Sequence, residues 1–516
     1  MQSSQELERA LSQFDDKSKV TRPMNHTMQI ERKVLLLVAL LHGLAASARM
    51  IRYEEMKQAL GEQSLPLVNV TVDTALLSRT DFTAGEIEIA DPLCRTVPGE
   101  RVVRYRCKYR IRGGTAADYR KKSFAVKLVD GKGDDLDAPV FGIREENSWI
   151  LDAMAVDRTR MRNRVCFDVW NGLSRTPYAT KYDGRNGTQG VFAEVFVNGS
   201  YNGLYCMTDK IDRKLLGLKK AKAAGDGITV RGLLYKGDAW GSSSDLRSYE
   251  EDATDKDSWN AWELQYPADY PSAAAWQPLM DLIDFCSAET PGETFRAGYG
   301  DYFHTGNLLD YVVFTLALHV GDNAYKNTFL STPDVTQSHC WLLTPWDMDM
   351  SLGGFYDGSY DETLATLGRY NHIAPFNRLY VEDIDGFRAA LTARWTEHYQ
   401  TLLSPEEVIA RMEAYAGAFI ASGAWQRERE RWDGAPVPLK ASPLEEIQYV
   451  RDWYWRNFLS LCGQFGTDTA TMHVHGAGEA ASRGGTYTLG GRKAGNRPVR
   501  GIYVAGGRKT AAGARK

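Results

Sequence analysis

An excess of charge of either sign is missing from this chain. Its 62 Lys and Arg stand against 66 Asp and Glu, a formal net charge of −4. So balanced a composition offers no argument for nucleic acid or an anionic membrane surface as partner. Metal-site cysteine spacing is missing as well. The seven cysteines (94, 107, 166, 206, 286, 340 and 462) form no Cys-x-x-Cys and no zinc pattern. Cys107, Cys166, Cys206 and Cys286 sit in or beside apolar runs and read as buried thiols rather than a disulfide framework. His473 and His475 lack partner ligands nearby, which argues against metal binding there. The apolar run near the N-terminus, Val34 to Leu41, is too short to span a bilayer. What is present is ordinary for globular protein: 43% hydrophobic and 25% charged residues over 516 positions, enough for a large core. That length suits two to four domains, or one two-lobed enzyme with extensions. The 13 Trp and 26 Tyr suit an extracellular or carbohydrate-facing protein.

Residues 1–27 are polar and lack apolar periodicity. Met28, the charged Glu31-Arg32-Lys33, the apolar Val34 to Leu41 and Ala46-Ser47-Ala48 then make a secretory signal peptide over 28–48. Met28 therefore reads as the true start, with Met24 as the alternative, and 1–27 as an overcalled start. Residues 49–64 read as a linker.

From 65 to 129 the chain is strand-like, over Leu65 to Val72, Glu86 to Ala90, Val102 to Ile111 and Ser123 to Leu128. Between the last two lies Arg112-Gly113-Gly114-Thr115, followed by Lys121 and Lys122. Such a loop between strands suits either a clamp on polyphosphate or a plain hairpin with solvated lysines. Alternation puts Lys127 on the face away from Phe124, Val126 and Leu128. Trp149 to Leu151 reads as a short strand. Met161 to Leu173 predicts a helix with Asp157 as its N-cap. Cations at a helix start are unfavourable unless they meet an anion, so Arg162 faces a phosphate or a carboxylate, or is a surface arginine. Val191 to Val197 and Tyr201 to Met207, joined by Asn198-Gly199, predict a hairpin. Residues 226–270, with Tyr235-Lys236-Gly237-Asp238, read as an irregular insertion, and 276–285 as a helix.

The organising stretch is Leu308 to Gly354. Leu308 to Val320 is apolar almost all round and predicts a buried helix, broken by Gly321. Asp322 and Asn327 follow, then extended runs at Thr328 to Ser331 and Trp341 to Thr344, then Pro345-Trp346-Asp347-Met348-Asp349. Buried helix, Asp with Asn five residues on, hairpin and paired aspartates is the order protein kinases use to orient a hydroxyl and hold metal against phosphates. The same residues also fit a helix-end turn at Asp322 and loop hydrogen bonds at Asp347 and Asp349. Helices are predicted over 384–403, 406–422 and 444–462, and the charge-dense 425–432 as a solvated face. Residues 466–485 read as a linker. Two strand-like segments follow in a basic tail at 486–493 and 501–509.

At Lys121-Lys122-Ser123-Phe124, Asp157 to Asn163, Asn198 to Tyr205, Asp322 to Asn327 and Pro345 to Asp349, the chain resembles the CotH (spore coat protein H-like) atypical kinases. The resemblance covers about residues 65–465. It implies an α+β, two-lobed, atypical protein-kinase-like fold, with a β-rich N-lobe (about 65–215) and a helical C-lobe (about 275–465). It also implies transfer of the ATP γ-phosphoryl group to protein Ser or Thr with Mg²⁺ or Mn²⁺. Asp322 matches the catalytic aspartate; Asp347 and Asp349 the metal motif, with Asn327 in the matching Lys-Asn pair. Lys122 and Lys127 match the basic nucleotide-side positions, and Arg162 the arginine of an Arg-Asn helix start. Two positions depart from the family pattern: the loop that includes Arg112 ends in Gly114-Thr115, and Asp209 stands where Glu is common. The tail 486–516 resembles type IX secretion sorting segments, which implies a sorting or anchoring role and contact with secretion machinery. A terminal hairpin docked on the enzyme is its alternative.

These readings combine as an exported kinase located in the periplasm, at the cell surface or outside the cell, with no transmembrane span in the mature chain. ATP is scarce outside the cytoplasm, so such an enzyme needs a supply, or the fold has been reused. The rival reading is therefore a cell-surface adhesin or structural module on an inactive kinase-like fold. A glycosidase using Asp347 and Asp349 is disfavoured, since residues two apart on a strand share a face instead of flanking a scissile bond.

Overall fold

The computed structural model describes residues 51–467 apart from 225, 226, 324, 325 and 371, and the backbone of three tail strands. The expected start region and signal peptide, and most of the 466–485 linker, lie outside the described residues. Tyr487–Thr488, Gly501–Ala505 and Arg508–Ala512 pair as a three-stranded antiparallel sheet. Residues 49–64 hold more than a linker. The helix Tyr53–Ala59 (α1) sets Tyr53 edge-on against Phe196, with ring centroids 5.4 Å apart.

The fold is α+β, with its strands in the first half closed into a barrel. Seven strands form it: Leu67–Val72 (β1), Thr83–Ala90 (β2), Val102–Arg112 (β3), Ser123–Val129 (β4), Ser148–Asp152 (β5), Gly190–Val197 (β6) and Ser200–Thr208 (β7). Their order is β1-β2-β3-β4-β5-β7-β6, closed by parallel pairing of β6 with β1. Alternation directs Val68, Val70, Ile87, Ile89, Phe124, Val126, Trp149, Leu151 and Met207 inward. A barrel this narrow is filled by its own side chains, so a ligand must bind at its loops. The β6–β7 turn is Asn198-Gly199, both residues at positive φ (50° and 75°), as a two-residue hairpin with the twist of its strands requires.

The helix Arg162–Leu173 (α2) leads out of the barrel half. The segment read as an irregular insertion supplies three of the five strands of a second sheet. Leu233–Gly237 (β8) and Trp262–Tyr266 (β9) join Thr328–Thr332 (β10) and Leu342–Pro345 (β11) in the order Ser258–Trp259, β9, β8, β10, β11. Ala273–Cys286 (α3), Gly292–Tyr302 (α4) and Thr305–Leu318 (α5) precede β10. Every residue of α5 from Asn307 to Leu318 is buried, as its all-round apolar character requires. Its end differs from the sequence reading. His319, at φ 48°, is the left-handed cap, while the Gly321 N–H donates to the Met350 carbonyl at 3.0 Å.

Among the described residues five α-helices follow the second sheet: Ala374–Val381 (α6), Phe387–His398 (α7), Pro405–Ala421 (α8), Ala424–Arg431 (α9) and Pro443–Phe465 (α10). Ser404 caps α8 through the Glu407 N–H, with Pro405 in the first turn. The solvated face expected over 425–432 is corrected at Glu428, which is fully buried. Its carboxylate accepts from Lys121 Nζ at 2.7 Å, Arg160 Nε at 2.9 Å and the Leu204 N–H at 2.8 Å. It thereby ties α9 to the barrel. Burial pushes this carboxyl up, but the charges of Lys121 and Arg160 outweigh burial and hold it below the ordinary range. All seven cysteines are free, and Cys107, Cys166, Cys206 and Cys286 are buried. Among the described residues no helix is long and apolar enough to cross a membrane.

Candidate active site

Antiparallel pairing gathers the central acids. Thr328 lies opposite Pro345 in the β10–β11 ladder, so residues before 328 and after 345 emerge side by side. The Trp346 N–H donates to the Asn327 carbonyl at 2.9 Å. The Asn323 side chain donates to the carbonyls of Asn327 (2.6 Å) and Trp346 (3.0 Å). Asn327 and Asp347 both take left-handed backbone (φ 55° and 56°), which Asn and Asp tolerate best among residues with a Cβ. Asp347 and Asp349 are not on a strand: Asp347 precedes a single 3₁₀ turn, Met348–Met350.

A cavity of about 790 Å³ opens here, within the roughly 300–1,000 Å³ of small-molecule sites. Of the expected site residues, Arg112, Asp322, Asn327, Asp347 and Asp349 line it, together with Gly113, Gly114 and Thr115 of the barrel loop. The Arg112 guanidinium stacks over Trp346 at 5.6 Å, joining the barrel loop to the acid turn. Asp322 accepts from Lys326 Nζ at 3.0 Å and from the Asn327 amide at 3.3 Å.

Three expected residues are not among those lining the cavity. Lys122 donates to the Ala117 carbonyl at 2.7 Å. Lys127 projects from β4 opposite the inward Val126 and Leu128, and pairs with Asp135 at 2.9 Å. Arg162 is buried on Asp157 at 2.5 Å, so the anion it meets is that carboxylate. Asp157 also accepts the N–H groups of Met161 and Arg162, both at 2.7 Å, and so serves the start of α2 as expected, although it sits four residues before the N-cap position Met161. Asp209, which stands where Glu is common, is held by Arg144 and Arg185, each at 2.8 Å.

Other residues complete the wall. Asp152, the last residue of β5, accepts from the Asn163 amide at 3.2 Å, and the Asn163 oxygen accepts the Met348 N–H at 3.2 Å. Arg369 donates to the Val320 and Gly321 carbonyls (2.9 and 2.5 Å) and meets His319 Nε2 at 3.2 Å, fixing the entry to Asp322. Burial first, then Arg369, push His319 down to about 4, so it is neutral at pH 7. Lys236, from β8, also lines the cavity. No periodicity marks these positions; a polar residue at a strand end was the only sequence signal available for Asp152.

The aspartates repel one another. On the cavity wall Asp347 is exposed and Asp349 half-buried. Desolvation raises Asp347, Arg112 and Lys236 oppose it, and Asp152 and Asp322 add to it. Asp349 is pushed well above the ordinary range by desolvation, then by Asp347, Asp152, Asp157 and Asp322. Such a site is suited to a cation. Among the described residues no three His, Cys, Asp or Glu converge as a resident-metal cage would. A magnesium ion shared with phosphates needs only one or two protein carboxylates, and Asp347, Asp349 and the Asn327 amide fit that requirement. A family model described as CotH kinase protein matches residues 109–457. No curated protein matches the chain.

Proposed function

This chain belongs to the CotH kinase family, and from that premise we propose that it is an exported kinase that transfers the γ-phosphoryl group of ATP to protein serine or threonine. On this reading the barrel half is the lobe over the nucleotide, and the half carrying α5 and the second sheet is the catalytic lobe of a kinase-like layout. The supporting observation is one cavity lined by Asp322, Asn327, Asp347 and Asp349 on one side and Arg112 with its glycine loop on the other.

Asp322 takes the acceptor hydroxyl proton as the hydroxyl oxygen bonds to the γ-phosphorus; the bond to the β–γ bridging oxygen breaks and ADP leaves. Lys326 and Asn327, both bonded to Asp322, hold its carboxylate in place. Arg112 meets phosphate charge from the barrel side. A magnesium or manganese ion, when bound, neutralises charge on the β- and γ-phosphates, and Asn327, Asp347 and Asp349 would hold it. The signal peptide at 28–48 directs export to the periplasm, cell surface or exterior, and the tail at 486–516 engages secretion machinery as a sorting or anchoring segment.

The test is incubation of the full chain with labelled ATP and Mg²⁺ or Mn²⁺, beside Asp347→Ala. Label on the protein or on a casein-like acceptor, lost in the variant, is the expected result. No label from either, with no ATP-dependent shift in melting, overturns the kinase reading and favours an inactive surface module.

A further inference from the structure

The resting site carries more acid than base, and phosphoryl transfer needs fixed cations at the terminal phosphate. Lys122 and Lys127 are not there. Two lysines of the described residues do line the cavity, Lys326 and Lys236. Lys326 is held by Asp322 at 3.0 Å. Lys236 belongs to the segment that reads from sequence as an irregular insertion.

Its placement follows from the second sheet. Lys236 lies opposite Phe329 in the β8–β10 ladder, two residues from Asn327. The next residue, Gly237, accepts the Asn327 N–H at 2.8 Å. The strand that carries Lys236 therefore also fixes the metal-side asparagine. Lys236, Arg112 from the barrel and Asp347 line the same cavity, and the positive charges of both basic residues act on Asp347. The ammonium now rests on Asp238 at 2.7 Å, with Glu263 at 3.7 Å. Asp238 is 61% exposed, and a pair with so exposed a partner is weak. A phosphate oxygen entering the cavity can replace it with little loss.

We propose that Lys236 binds the terminal phosphate of the nucleotide, with Asp238 as its resting partner. The proposal rests on the reading of the cavity as an ATP site. It makes the segment 233–238 part of the active site, fused to it through Asn327, and assigns selectivity for triphosphate over diphosphate to this strand.

The experiment measures ATP and ADP affinity by calorimetry for the full chain and for Lys236→Met, Lys236→Arg and Asp238→Asn, with Mg²⁺ and again in EDTA, with a melting curve for each. Lys236→Met should weaken ATP about tenfold or more while changing ADP much less. Lys236→Arg should restore most of the loss. Asp238→Asn should leave ATP affinity equal or tighter. Equal ATP affinity in Lys236→Met, or equal losses for ATP and ADP, overturns the assignment while leaving the ATP site standing. Parallel losses in Lys236→Met and Asp238→Asn with matching drops in melting temperature mean a merely structural pair, and also overturn it. A wild-type chain that binds neither nucleotide overturns the ATP site itself, and this assignment with it.

Discussion

Asn163 donates its side-chain amide to Asp152 at 3.2 Å. Because the Asn163 oxygen also receives the Met348 N–H, one side chain spaces the end of a barrel strand from the turn that carries Asp347 and Asp349. Groups that orient ligands without touching the metal are worth roughly 10–100-fold in metal affinity. Asn163→Ala should therefore weaken Mg²⁺-dependent ATP binding by about that factor while ATP binding in EDTA is unchanged. Calorimetric titration in both conditions checks it.

On the proposed mechanism Asp322 takes a proton and does not hold nucleotide. Asp322→Asn should lower phosphoryl transfer by about 10²–10⁴-fold with nucleotide affinity held within a few-fold. Single-turnover rates beside equilibrium titration separate the two.

Asp349 has a folded pKa above its unfolded one, first through desolvation and then through Asp347 and Asp152. The folded state then holds more protons than the unfolded state. The stability this gives is fully present below the unfolded value, near about 4, and is lost as pH rises through the folded value. In EDTA, Asp349→Asn should melt above wild type by a margin that widens as pH rises above the unfolded value, and Mg²⁺ should narrow it. A margin independent of pH would refute the account.

Lys121 and Glu428 meet with both side chains nearly inaccessible. Glu428→Ala leaves Lys121 and Arg160 buried without their anion, an expected loss of about 3–5 kcal/mol in denaturant titrations. Gly203 is the backbone side of the same contact. It sits at φ 113°, and a Cβ there would lie 2.2 Å from Glu428 Oε2. Gly203→Ala should cost about 1–3 kcal/mol for the conformation alone, and more for the clash.

Lys127 lies outside the filled barrel on Asp135, with both partners solvated. Lys127→Met should leave ATP affinity unchanged, whereas Arg112→Met should weaken it about tenfold. Equal effects from the two would mean the barrel loop reaches phosphate by another route.

Local patterns were legible because each depends on a few adjacent residues. Alternation marked the barrel strands, Asn198-Gly199 marked their hairpin, and an all-round apolar run marked α5 as central. The same run, followed by Asp322, Asn327 and a hairpin, pointed to a site at its end, because antiparallel pairing must return the chain beside its start. Lys122 and Lys127, matched to nucleotide-side positions by family resemblance, are not among the residues lining the cavity: a matched motif says which residue types recur, not which face of a strand meets the cavity.

The sequence by itself determined the strands of the barrel half, the buried helix and the turn that joins the acids Asp322, Asp347 and Asp349. Only the tertiary structure decided that the strands close into a barrel, that Lys236 and Asp152 reach the cavity, and that Glu428 is buried. Strand closure and the meeting of Lys121 with a residue 307 positions away depend on long-range packing, and a single chain read in order carries no signal for which distant surfaces will exclude water together.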